Sequence, residues 1–134
     1  MNNCLRFGHI INVEARCLHG TAADVPALGR YVAEALRVRR LLRDVLWDSK
    51  LIEPIDIEVQ GAPDLLYSLH QSRVDNRQAL VLNHFQPTEL STTVNHKACS
   101  GAVTLYRPFK APETISVPSA ISVPRDEFAI LVFS

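Results

Sequence analysis

The sequence predicts an α+β fold, mainly β: one long N-terminal helix packed beside an antiparallel β-sandwich of about six or seven strands. Three observations carry this expectation. Between residues 25 and 48, apolar side chains recur at spacings of three, four and seven, the period of a helix with one buried face. Beyond Pro54, short β-prone runs are broken by turn-forming clusters roughly every 8 to 12 residues, the signature of a sandwich or barrel. The chain has 134 residues, 47% hydrophobic and 21% charged, which suits one ordinary core and argues against wholesale disorder. Residues 1–53 hold a strand-like segment and the helix; residues 54–134 hold the sandwich.

The elements follow in order. "FGHIINVEAR" has a strand-like centre at Ile10, Ile11, Asn12 and Val13, and "CLHGTAAD" reads as a loop. Asp24 suits the helix N-cap, with Pro26 in the first turn, where backbone N–H groups lack helical partners. Leu28, Val32, Ala35, Leu42, Val45 and Leu46 share one face, while Arg30, Glu34, Arg37, Arg40 and Asp44 occupy much of the other. Arg40 and Asp44 stand at i,i+4, a spacing that supports a helical ion pair. "IDIEV" alternates as a strand. "DLLYSLHQSR" and "QALVLNHF" flank the turn cluster at Asp75-Asn76 and read as a hairpin. "ELSTTVNH", "GAVTLYRPF", "TISVPSAISVP" and "EFAILVFS" complete the strands. "ISVP" occurs twice, at 115–118 and 121–124. Proline cannot donate to a ladder, so Pro118 and Pro124 belong at sheet edges or strand ends.

Bulk chemistry narrows the function. Fourteen basic residues balance fourteen acidic ones, so no net charge draws the chain to nucleic acid or an anionic membrane. Five arginines fall between Arg30 and Arg43, and a solvated helix face accounts for them. No apolar run approaches the roughly 20 residues of a membrane span, and the start lacks a signal-peptide pattern. Cys4, Cys17 and Cys99 include no CxxC; free thiols and a cytoplasmic location are the expectation.

Catalytic motifs are absent. His9, His19, His70, His84 and His96 include no HxH or HxxxH pair, so no metal set is expected. No GxSxG, P-loop or GxGxxG is present. Glu14, Asp24, Asp44, Asp48, Glu53, Asp56 and Glu58 offer no convincing carboxylate pair for a glycosidase. No catalytic, cofactor or metal residue is assigned. The repeated pairs Asn83-His84 and Asn95-His96 stand where apolar runs end, and they read as strand-end residues that bond backbone groups near turns.

The order of strand, loop, long helix "ALRVRRLLRDVLWDSKLIEP" and β-rich module resembles the C-terminal end of a large glycoside hydrolase. There the last strand and helix of a barrel lead into a small antiparallel β domain. "LLYSLHQSRVDNRQALVLNHFQPTELSTTV" is similar to the hairpin of such domains, and "ISVPRDEFAILVFS" to their final strand. The resemblance covers about residues 7–134 and implies a non-catalytic accessory module with a structural or assembly role. Activity on its own is not expected; Glu14 alone stands where a barrel places functional groups, and an ordinary strand-end role suits it. The helix face at Leu28, Val32, Leu42 and Leu46 is the expected surface for docking to a larger polypeptide or for a homo-oligomer. The alternative is a stand-alone carbohydrate- or ligand-binding protein using Tyr67, Tyr106 or Phe109, although alternation with Leu65 and Leu69 places Tyr67 in the core.

Overall fold

The computed structural model describes residues 6–7, 25–98 and 102–134. The strand expected at Ile10–Val13, the loop after it, Glu14, Asp24, His9, His19 and all three cysteines lie outside the described residues. No helix among the described residues is long and apolar enough to cross a membrane.

Helix α1 spans Pro26–Leu41 and begins with Pro26 in its first turn. Arg39 and Arg40 in its last turn oppose the negative end of the helix dipole. The expected single helix to residue 48 is interrupted. Leu42 leaves helical geometry at φ −102°, ψ 29°, and a short α2, Arg43–Leu46, restarts from its carbonyl. The bend lets Leu42, Val45 and Leu46 all face the same sheet and then turns the chain into a strand at Ser49. It also removes the i,i+4 geometry expected of Arg40 and Asp44. Asp44 pairs instead with Arg77 at 3.2 Å, while Arg37 pairs with Glu34 at 2.8 Å.

The described residues form nine strands, more than the six or seven expected: β1 Ser49–Ile52, β2 Ile57–Gln60, β3 Leu66–Ser72, β4 Gln78–Asn83, β5 Leu90–His96, β6 Ala102–Tyr106, β7 Glu113–Ser116, β8 Ser119–Val123 and β9 Phe128–Phe133. All pairings are antiparallel. Six strands make one sheet in the order β1-β3-β4-β9-β6-β7, and three make a second, β2-β5-β8. Strand β1 lies on the N-terminal side of the boundary drawn at residue 54 and belongs to the large sheet.

The layers run helix, large sheet, small sheet. On one face of the large sheet, Ala79, Val81, Phe128, Ile130 and Val132 meet Ala35, Val38, Leu42, Val45 and Leu46. On its other face, Leu80, Leu82, Ala129, Leu131 and Phe133 meet Ile57, Val94, Ile121 and Val123 of the small sheet. Strands β4 and β9 are therefore buried on both sides, which is why "ALVL" and "FAILVF" are unbroken apolar runs. Burying a side chain such as Phe128 or Leu80 contributes about 2–3 kcal/mol.

Local signals were reliable at the turns. Asp75 and Asn76 close the β3–β4 hairpin, where Ser72 and Asp75 side chains accept backbone N–H groups from within the turn. The two "ISVP" copies fall on β7 and β8, each the edge of a different sheet. Pro118 lies between β7 and β8, and Pro124 follows β8 directly. Gly61, at φ 95°, turns the chain after β2 in a region that side-chain-bearing residues avoid.

Candidate functional site

The corner where α2 runs into β1 carries the densest chemistry among the described residues. The sequence leads there because α2 is short. The amides of Trp47 and Asp48 both bond the Arg43 carbonyl at 2.8 and 3.0 Å, and the Asp48 carboxylate pairs with Arg43 at 2.9 Å. This closes the helix with Trp47 directed away from the apolar stripe, and the indole is 54% exposed. Trp47 lies between two cavities. One, of about 290 Å³, is bounded by Arg39, Arg40, Arg43 and Trp47. The other, of about 270 Å³, includes Phe7, Trp47, Ser49, Leu51, His70 and Arg73. Arg39, only 3% exposed, places its guanidinium 4.4 Å from the centre of the indole ring, a cation–π contact.

The second cavity contains the one serine–histidine contact described. Ser49 Oγ and His70 Nδ1 are 3.2 Å apart, within reach of a nucleophile–base pair. The rest of the ring decides its role. His70 Nε2 lies 2.7 Å from the Arg6 carbonyl, which only accepts, so Nε2 carries the proton and Nδ1 accepts from Ser49. Ser68 Oγ donates to the same carbonyl. Burial depresses the His70 pKa, with the Arg6 carbonyl pulling against that and the charge of Arg39 adding to it. An imidazolium here would face a neutral carbonyl where catalytic histidines face a carboxylate. The arrangement holds Arg6–Phe7 against β3 and is poorly suited to taking up a proton.

The two Asn-His pairs have a shared design. Strand β4 ends at Asn83 and β5 at His96. His84 Nδ1 accepts from the Gln86 amide at 3.1 Å, and His96 Nδ1 accepts from the Ala98 amide at 3.2 Å. Each ring thus caps the turn two residues ahead. Nε2 of His84 donates across the core to the Val123 carbonyl at 2.8 Å, and Nε2 of His96 donates to Gln78 Oε1 at 3.0 Å. Asn83 differs: it is wholly buried, and neither its side-chain oxygen nor its nitrogen has a partner.

The three aromatic residues offered for ligand binding do not share one face of the large sheet. Tyr67 pairs with Leu82 on the small-sheet face of the large sheet, while Tyr106 pairs with Ile130 and packs on the helix side. Phe109, 60% exposed, lies beside Tyr31. Tyr67 is 39% exposed, contrary to the core position that alternation suggested. The helix stripe offered as a docking face is covered by the chain's own sheet at Leu42 and Leu46. Among the described residues, no group of three or more His, Cys, Asp or Glu could hold a metal. Trp47 escaped sequence reasoning as a centre, although an aromatic off the apolar face of an amphipathic helix was the available signal.

No family model matches the chain, and no curated protein matches it.

Proposed function

We propose that the chain is a non-catalytic β-sandwich module with a structural or assembly role in the cytoplasm, of the kind that closes a glycoside hydrolase. The observation that carries this reading is the exposed apolar cluster at the α2–β1 corner: Phe7, Trp47 and Leu51 line one cavity and are 43%, 54% and 51% exposed. Aromatic and arginine side chains dominate protein-interface energetics, and this corner combines Trp47 with Arg73. Docking uses the corner, because the sheet covers the helix stripe at Leu42 and Leu46. The edge of β1 contributes little as a template, since it is four residues long and Arg73 Nε donates to the Ser49 carbonyl on it.

Light scattering of the purified chain over a concentration series tests the reading. The expected result is concentration-dependent association that Leu51→Lys abolishes while leaving the melting curve unchanged. An invariant monomeric mass for both chains would remove the corner as a docking surface.

A stand-alone ligand-binding role is the second reading. It is favoured by the cavity on the other side of Trp47, where three arginines converge.

A further inference from the structure

We propose that the α2–β1 corner docks a second copy of this chain in a two-fold pair. Ile55 of each copy enters the cavity at Leu51 of the other, and Lys50 faces Glu53 across the interface. The proposal rests on the docking reading and names its partner.

The apolar part of this surface is a short stretch of chain. Trp47, Leu51 and Ile55 recur at four-residue intervals and are 54%, 51% and 76% exposed. Single exposed apolar residues are ordinary. Three of them between residues 47 and 55, two bordering one cavity of about 270 Å³, form a patch that association would cover. Ile55 stands on a fixed turn. Its amide bonds the Glu53 carbonyl at 2.9 Å, and the Ile57 amide bonds the Pro54 carbonyl at 3.3 Å; the Pro54 ring locks one backbone angle between them. Such a knob has little freedom to lose on binding. One face of the Trp47 indole lies under Arg39, so Leu51 supplies the contact for an entering side chain. Four residues of chain span at most about 14 Å, which sets knob and socket side by side. A two-fold contact requires that, since the same patch serves both copies.

Opposite charges flank the patch. Lys50 and Arg73 border the cavity, and neither has a carboxylate partner among the described residues. Arg73 Nε donates only to the Ser49 carbonyl, at 3.2 Å. Glu53 is exposed and also lacks an ion pair among the described residues. Asp56 already feels the charge of Lys97, so Glu53 is the carboxylate left for a partner. Along extended chain Lys50 and Glu53 are about 10 Å apart. A two-fold axis between them sets the base of each copy against the acid of the other. A partner of one charge sign would be attracted at one end of this surface and repelled at the other. A second copy of a chain with no net charge meets no overall repulsion.

Light scattering of the full chain at low ionic strength tests this with charge reversals. The parent mass is expected to level off at twice the 14.9 kDa of one chain. Lys50→Glu and Glu53→Lys each bring like charges together twice, and each is expected to weaken association about tenfold or more. An equal mixture of the two variants is expected to restore it, because each supplies the charge the other has lost. Ile55→Ser is expected to weaken it as well. Lys110→Glu, the same change of net charge on the loop after β6, is expected to leave the mass unaltered. All four side chains are exposed, and unchanged melting curves are the folding control. Growth past two copies, indifference to both reversals, a mixture no better than its components, or a loss in Lys110→Glu equal to that in Lys50→Glu would each overturn the proposal. If Leu51→Lys still abolishes association in those cases, the docking reading stands and only the two-fold pairing falls. A parent that stays monomeric at every concentration removes both.

Discussion

His84→Ala is the sharpest test of how the two sheets are joined. His84 is fully buried. Its Nε2 donates to Val123 of β8 in the small sheet, and its Nδ1 accepts from Gln86 in the loop after β4. Alanine removes both bonds, each worth about 1 kcal/mol net. It also leaves the Gln86 amide and the Val123 carbonyl without the ring, and an unsatisfied buried group costs a further 1–3 kcal/mol or so. The expected loss is about 3 kcal/mol. An unfolding entropy of about 2.1 cal/mol/K per residue gives roughly 0.3 kcal/mol/K for a chain of this size, so the melting temperature falls by about 10 °C. Urea and thermal denaturation followed by circular dichroism measure both quantities. His96→Ala is the internal comparison. It makes the same turn bond, but its second partner is the Gln78 side chain rather than a carbonyl across the core, so its loss is about half as large. Equal losses at the two positions, or a loss below about 1 kcal/mol at His84, would refute the role of this ring as a link between sheets.

Two further predictions concern buried polar groups. Asn83→Leu should raise stability by about 1 kcal/mol, because it replaces a buried amide without partners by an apolar group of similar size; a lower urea midpoint in the variant would mean that Asn83 satisfies an essential partner. Stability should also fall on acidification. Burial depresses the pKa of both His70 and His96 below the ordinary value near 6.5. Below that value the unfolded chain takes up protons that the folded chain does not, so stability is full above it and declines as pH falls toward the depressed folded-state values. Urea midpoints at pH 7.5 and 5.5 check this. A flat profile, or one whose slope is unchanged in the double variant His70→Gln/His96→Gln, would sink it.

The parts of the fold legible in the sequence were those decided locally. "ALVL" and "FAILVF" carry no alternation because β4 and β9 are covered on both faces, and the residues themselves record that. Asp75-Asn76 marked a turn, and Pro118 and Pro124 marked edges, for reasons internal to a few residues. What failed depended on distant partners. The break at Leu42 follows from fitting Val45 and Leu46 to the sheet. Asp44 pairs with Arg77 across a hairpin that a helical i,i+4 rule does not consider. "SKLI" looked like the end of a helix region and became β1 because β3 offered it an edge. The partition of strands into sheets of six and three leaves no trace within the individual strands, since pairing partners are set by residues far away in the chain. Trp47 left a signal of its own, as an aromatic off the apolar face, but the corner around it did not, because it joins a helix end to Phe7 and His70, which the chain brings together from far apart.

The position of β9 has a consequence for the order of events in making this protein. Residues 128–133 are synthesised after the other described strands, yet they lie inside the large sheet, between β4 and β6. Until they leave the ribosome, β1-β3-β4 and β6-β7 are separate ribbons with no shared ladder. The helix layer then lacks Phe128, Ile130 and Val132, and the small sheet lacks Ala129, Leu131 and Phe133. Folding of the nascent chain is therefore deferred, and assembly of both cores becomes a single late event set by the arrival of one hydrophobic segment. During that interval the apolar faces of β4 stand open, and the burden of keeping the chain from aggregating falls on the polar turns and edge prolines made before it.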